Sequence, residues 1–278
     1  MPTPFYHLSV AIDLLEHPAL TEYARQLLLS ERGAFLFGNT APDVQTISRQ
    51  SRADTHFFDL PLSSNPVPPW LFVRDKYEVL EDTSRLGNAQ AGFLAGYLCH
   101  LQADWIWIRD IFVPVFGKKC TWSTFHQRLY LHNVLRSYLD REILPALIEG
   151  NGVGKELKSA VISNWLPFVE DRHLIDWRDF VADQLLPGAM IRTVEVFSER
   201  QGISPQEYYS LLSSEERMES EVFAYLSRQD LAKYRRSVLE SNVQLINAYL
   251  TERHSGRRMA AIVQARPASH SVHGSSVS

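Results

Sequence analysis

Apolar residues along this chain recur at intervals of three and four. Leu8, Ala11, Ile12 and Leu15 form one such set, and Leu20, Tyr23, Ala24, Leu27 and Leu28 another. That is the period of an amphipathic helix, and strand-like alternation is nearly absent. The pattern predicts helices over residues 6–32, 74–84, 88–113, 122–149, 155–171, 174–200, 204–213 and 217–254. The expected fold is therefore all-α, a multi-helix bundle. Residues 38–69, ending in Pro61-Leu-Ser-Ser-Asn-Pro-Val-Pro-Pro69, read as a long loop, and long loops in compact domains usually carry function. Gly150-Asn-Gly-Val-Gly154 divides an N-terminal part, 1–149, from further helices at 155–253 within a single helical domain, 1–253. From His254 the chain turns to Ser, Gly, His and Arg without an apolar period, so 254–278 reads as a disordered tail.

Composition narrows the class. With 278 residues, 45% hydrophobic and 22% charged, the chain can bury a sizeable core, which excludes a disordered or fibrous protein. A formal net charge of −4 supplies no basic field for nucleic acid. Cys99 and Cys120 lack the paired spacing of a thiolate zinc site and are too few for a disulfide scaffold. The longest uncharged stretch, Leu86 to Ala103, contains Asn88, Gln90, His100 and Gln102, each costly in hydrocarbon, and reads as a buried helix. No signal peptide is visible at Met1-Pro-Thr-Pro, so the expected compartment is the cytoplasm.

Six of the ten histidines fall within the first 132 residues. In His100-Leu-Gln-Ala-Asp104 the imidazole and carboxylate are four apart on a presumed helix, so both can face one cation. An acid on an apolar helix is expensive unless paired or bound to metal; a His–Asp pair that stabilises helix packing is the alternative. In Phe37-Gly-Asn-Thr-Ala-Pro-Asp43 the Gly and Pro set a turn that presents an acid, though Asp in such a place also serves as a cap. His56 follows after 13 positions, and His7 stands at the start of the first helix, where a lone histidine is usually core.

In chain order, His7, Gly38…Pro42-Asp43, His56 and Gly96…His100-x3-Asp104 resemble the zinc-dependent phospholipase C family, related in fold to the single-strand-specific zinc nucleases. The resemblance covers the first 105 to 140 residues. It implies one zinc site made of Asp43, His56, His100 and Asp104, with Asp104 bridging to a second ion held by His7. For a third ion the family uses a His soon after HxxxD and then His-x3-Glu. This chain has Asp110 at the first position and His132 followed by Arg136 at the second, with Asp140 a turn further on. Asp110, His132 and Asp140 are thus candidate ligands of a third ion; equally, Arg136 replaces an ion's charge. The implied cofactor is one to three Zn2+.

The implied activity is hydrolysis of a phosphoric ester, phospholipase C-like, with Asp43 or Asp104 orienting a water activated by divalent ions. The substrate is a phospholipid or another phosphoester. Trp105 and Trp107, two apart on one helix, either pack or line a cleft or membrane-facing rim, which would allow peripheral membrane contact. The alternatives are a non-catalytic, metal-stabilised binding protein of the same fold, and a phosphatase or nuclease with a non-lipid substrate. No His-Asp dipeptide, Gly-x-Ser-x-Gly elbow or phosphate-binding P-loop occurs anywhere in the chain.

Overall fold

A computed structural model describes residues 1–58, 68–77, 80, 83–150 and 152–255. Among the described residues all regular structure is helical. Most of the Pro-rich run and the tail from 256 onward lie outside them, as do Asp59, His270 and His273.

Helix α1 (Pro4–Glu16) starts where Thr3 caps the Tyr6 amide and Pro4 occupies the first turn. The single helix expected over 6–32 is broken at His17-Pro18, where His17 takes extended angles (φ −67°, ψ 126°) as the residue before proline does. The chain resumes as α2 (Glu22–Ser30), capped by Thr21, and α3 (Arg32–Gly38). The stretch expected to be a loop is, as far as it is described, a run of short helical turns joined by irregular residues. A 3₁₀ turn (Ala41–Val44) leads into α4 (Gln45–Ser48) and α5 (Arg52–His56). The last has a capping box in which Ser51 and Asp54 satisfy each other's amides. Short, polar, proline-bearing turns of this kind leave no apolar period to read.

After α6 (Pro69–Lys76) comes the central helix, α7 (Asn88–Trp107), which runs on as wider turns through Ile108–Phe116. Every residue of α7 from Ala91 to Trp107 is buried. It packs against α3, and α14 (Arg228–Ser255) also lies along it. Tyr234 and Asn242 of α14 bond to its Ala103 and Cys99 carbonyls. A helix enclosed on all sides is apolar on all sides, which is why this segment shows no polar face. Trp105 and Trp107 are both buried, so neither forms a membrane-facing rim. Among the described residues no helix is long and apolar enough to cross a membrane.

The remaining elements are α8 (Phe125–Pro145), α9 (Val153–Ser159), α10 (Asp171–Asp183), α11 (Thr193–Gln201), α12 (Pro205–Leu212) and α13 (Glu215–Arg217). Helix α8 lies against α1. The stretch expected as one helix over 174–200 divides around Pro187-Gly188, where Gly188 takes φ +78°.

Two glycines govern how α3 crosses α7. A Cβ on Gly38 would stand 2.0 Å from the Phe93 carbonyl oxygen, and one on Gly96 would stand 2.2 Å from the Phe35 carbonyl oxygen. Only residues without side chains allow this approach, and it sets the Asn39 carbonyl beside α7.

Candidate metal centre

The crossing brings together side chains from four stretches. His7 comes from the second turn of α1, Asp43 from the 3₁₀ turn after α3, His56 from the end of α5, and His100 and Asp104 from successive turns of α7. His7, His56, His100 and Asp104 are buried, while Asp43 is 16% exposed and forms the open edge.

Two of the three imidazoles are oriented by a backbone or hydroxyl group. The Asn39 carbonyl, 2.8 Å from His100 Nδ1, can only accept, so Nδ1 carries the proton and Nε2 keeps a lone pair. Thr55 Oγ1 lies 2.9 Å from His56 Nδ1 while its own proton goes to the Arg52 carbonyl at 3.4 Å, which protonates the same nitrogen of His56. Tyr97 Oη in turn donates to the Thr55 carbonyl at 2.5 Å, tying α5 to α7. His7 stacks on His100 with ring centres 3.8 Å apart.

The consequence is a convergence of lone pairs. His100 Nε2 faces His56 Nε2 at 3.3 Å and Asp104 Oδ2 at 3.7 Å. His56 Nε2 lies 3.5 Å from both Asp43 Oδ1 and Asp104 Oδ2. His7 Nε2 stands 3.3 Å from Asp104 Oδ1, and both atoms are buried without a hydrogen-bond partner among the described residues. An ion between them would satisfy both atoms. Donors about 2.1 Å from one zinc ion at tetrahedral angles stand about 3.4 Å apart, the spacing found here. These atoms form two overlapping groups able to hold an ion, His7 with His100 and Asp104, and Asp43 with His56 and His100.

Electrostatics keep the donors in ligating form. Burial, then the field of His7, pushes His100 down to about 3 against the pull of Asp104 and Asp43. Burial and Arg52 lower His56. For Asp104, burial would raise the pKa, but His100, Arg52 and His7 outweigh it and hold the carboxyl well below its ordinary value. Burial likewise opposes ionisation of Asp43, and the His56 hydrogen bond with the fields of His100 and His56 prevails. His56 and His100 are thus held as neutral imidazoles and Asp43 and Asp104 as carboxylates, donors of the kind that bind a divalent ion.

Arg52, which the sequence pattern did not single out, donates to Asp104 Oδ2 and reaches within 4.0 Å of Asp43 Oδ1. It stands four residues before His56, on the same face of α5, and that spacing was the signal available in the sequence. Asn39 and Thr55 had no such signal, because their roles depend on the helix crossing.

The third expected ligand group is not assembled. Asp110 is six residues past Asp104, about 120° round a helix, and points outward. It is 38% exposed and paired with Arg109 at 2.6 Å. His132 is buried among Phe112, Phe116 and Trp107. Its Nε2 accepts the Trp107 indole proton at 2.9 Å, so its lone pair is already used and its proton lies on Nδ1. Asp140 accepts hydrogen bonds from Thr3 and from Thr193, the latter at 2.7 Å. Compared with protein family models, curated proteins and solved structures, the chain matches none.

Proposed function

We propose that this cluster is a zinc centre and that the protein is a metal-dependent hydrolase of phosphoric esters, similar in kind to phospholipase C. The observation that supports it most is the set of convergent nitrogen and carboxylate donors, with His7 Nε2 and Asp104 Oδ1 otherwise unpaired in the interior. Divalent ions held there would lower the pKa of a bound water and polarise a phosphoryl oxygen.

The chain's own groups then divide the work. Asp104, 1% exposed and enclosed by His7, His56, His100 and Arg52, holds rather than reacts. Asp43, at the open edge, accepts a hydrogen bond from the attacking water and orients it. Arg52 faces a phosphoryl oxygen and balances the two carboxylates. Water adds to phosphorus, and the bond to the leaving alcohol oxygen breaks, that oxygen taking up a proton.

The test is metal analysis of the purified protein, followed by hydrolysis of chromogenic phosphomonoesters and phosphodiesters with and without chelator. Bound zinc with chelator-sensitive turnover is expected; protein without metal after zinc reconstitution overturns the reading. A second reading, a metal-stabilised binding protein without turnover, is favoured by one observation, the unassembled third ligand group. Stoichiometric metal with no hydrolysis of any ester selects it.

A further inference from the structure

Beside the cluster is a cavity of about 140 Å³, floored in part by Asp43 and Arg52. Its size suits a phosphate or a single ring, since an engineered cavity of about 150 Å³ takes up benzene. Arg136, Arg192 and Arg200 also line it, and Asp43 is the one carboxylate among the residues that do. None of these three arginines makes an ion pair with a described residue. Arg136 donates from Nη1 to Asn133 at 3.0 Å, while its Nε is buried with no partner. Burial, partly offset by Asp43 and Asp104, lowers Arg136 only to about 10, so it stays cationic at neutral pH. Arg200 reaches Thr46 Oγ1 at 3.4 Å and otherwise faces solvent.

The aromatic walls are already engaged. The Arg136 guanidinium lies 4.2 Å from the centre of the Phe197 ring, and that of Arg192 lies 5.9 Å from that of Phe180. Trp177 stacks on Phe180 and spends its indole proton on the Thr40 carbonyl. Faces that could box a quaternary ammonium are thus covered by cations, and a positively charged headgroup would meet arginines there.

We propose that this cavity is an anion subsite, and that the substrate is a phosphoester bearing a further negative charge, a phosphomonoester dianion or polyphosphorylated ester, rather than one with a cationic headgroup. The proposal rests on the hydrolase reading for the word substrate, while the subsite itself is testable without turnover. An unpaired guanidinium edge lining a cavity is a fork for phosphoryl oxygens, and its charge-assisted bonds are the strong kind.

The experiment uses the full chain, zinc-loaded and chelator-treated, titrated calorimetrically with inorganic phosphate. In parallel, kcat/KM is measured for p-nitrophenyl phosphate and p-nitrophenyl phosphorylcholine. Phosphate should bind in both preparations, and Arg136→Gln and the exposed Arg192→Gln should each weaken it by about tenfold or more with zinc content unchanged. The monoester should be the better substrate and should lose its advantage in both variants. Phosphate affinity unchanged in both variants, or a preference for the phosphorylcholine ester, overturns the subsite. Absence of zinc and of all turnover overturns the hydrolase reading instead, and the chelator-treated titration still decides the subsite.

Discussion

Replacing Gly96 with alanine tests whether the helix crossing organises the metal centre. The added Cβ would lie 2.2 Å from the Phe35 carbonyl oxygen and 2.9 Å from both the Asn39 amide nitrogen and its Nδ2. Ordinary contact begins near 3.4 Å, so the backbones of α3 and α7 must separate by about 1.2 Å. Overpacking of that kind costs about 1–3 kcal/mol, against roughly 1 kcal/mol recovered from alanine's better helix propensity. The clash is with backbone atoms, which have no rotamer to escape into, so the upper half of that range is expected. The same shift carries the Asn39 carbonyl away from His100 Nδ1, now 2.8 Å distant. Losing such an orienting bond typically weakens metal binding by about 10–100-fold. Urea denaturation with and without zinc, and competition for zinc against a chromophoric chelator, read the two effects separately. Gly87→Ala, whose Cβ would meet nothing within 4 Å, is the control and should leave zinc affinity unchanged. A Gly96→Ala protein with wild-type zinc affinity would refute the argument, as would one more stable by the propensity gain alone.

Three further outcomes follow from the site. His100→Ala and Asp104→Ala should each lose zinc and activity together, by more than about 100-fold in affinity; full metal content in either contradicts the ligand assignment. Chelation should lower the melting temperature of the wild type but not of His100→Ala, because an ion that binds only the folded state stabilises it; equal shifts would place the metal elsewhere. Burial, opposed by the Thr3 and Thr193 hydrogen bonds, raises Asp140 from 3.8 to about 7. The folded state therefore binds that proton more tightly than the unfolded chain. Its contribution, at most about 4 kcal/mol, is complete below pH 4 and is lost as pH rises through 7. Asp140→Asn should flatten this component of the stability profile between about pH 4 and 7, and an unchanged slope would show the assignment to be mistaken.

What could be read in the sequence was whatever a periodicity or a short spacing encodes. The helical class followed from apolar spacing, and the facing of His100 and Asp104 followed from four residues on one helix. The breaks at His17-Pro18 and Pro187-Gly188 were smoothed over, because apolar residues on either side stay in phase across a turn. The coil between 38 and 58 read as a loop, since helices of four or five residues do not establish a period. Arg192 and Arg200 of the neighbouring cavity went unremarked, because what matters about them is the lack of an ion-pair partner, and that is a property of the packed chain. Asp110 illustrates the opposite error: a residue of suitable chemistry near the expected position, turned outward by the helix that carries it.

Arg136 provides the sharpest remaining question, whether a single substitution would restore a third ion. If the position merely lacked a ligand, Arg136→Glu should raise zinc stoichiometry. The surroundings argue against it. His132 has committed its lone pair to Trp107, Asp110 is at the surface, and Asp140 is already disfavoured as an anion by burial. The introduced carboxylate would stand one helical turn from Asp140, and it would remove the charge that now acts on Asp43 and Asp104. Removing one partner from a buried set of charges costs about 3–5 kcal/mol. The expected result is therefore no gain in zinc per chain by mass spectrometry under native conditions, with a clear loss of stability in urea. Adding Trp107→Phe, which frees His132 Nε2, separates the two explanations. A third equivalent of zinc in the single variant would show that the aromatic cage yields more readily than this account allows, whereas its appearance only in the double variant would identify the indole bond as what closes the site.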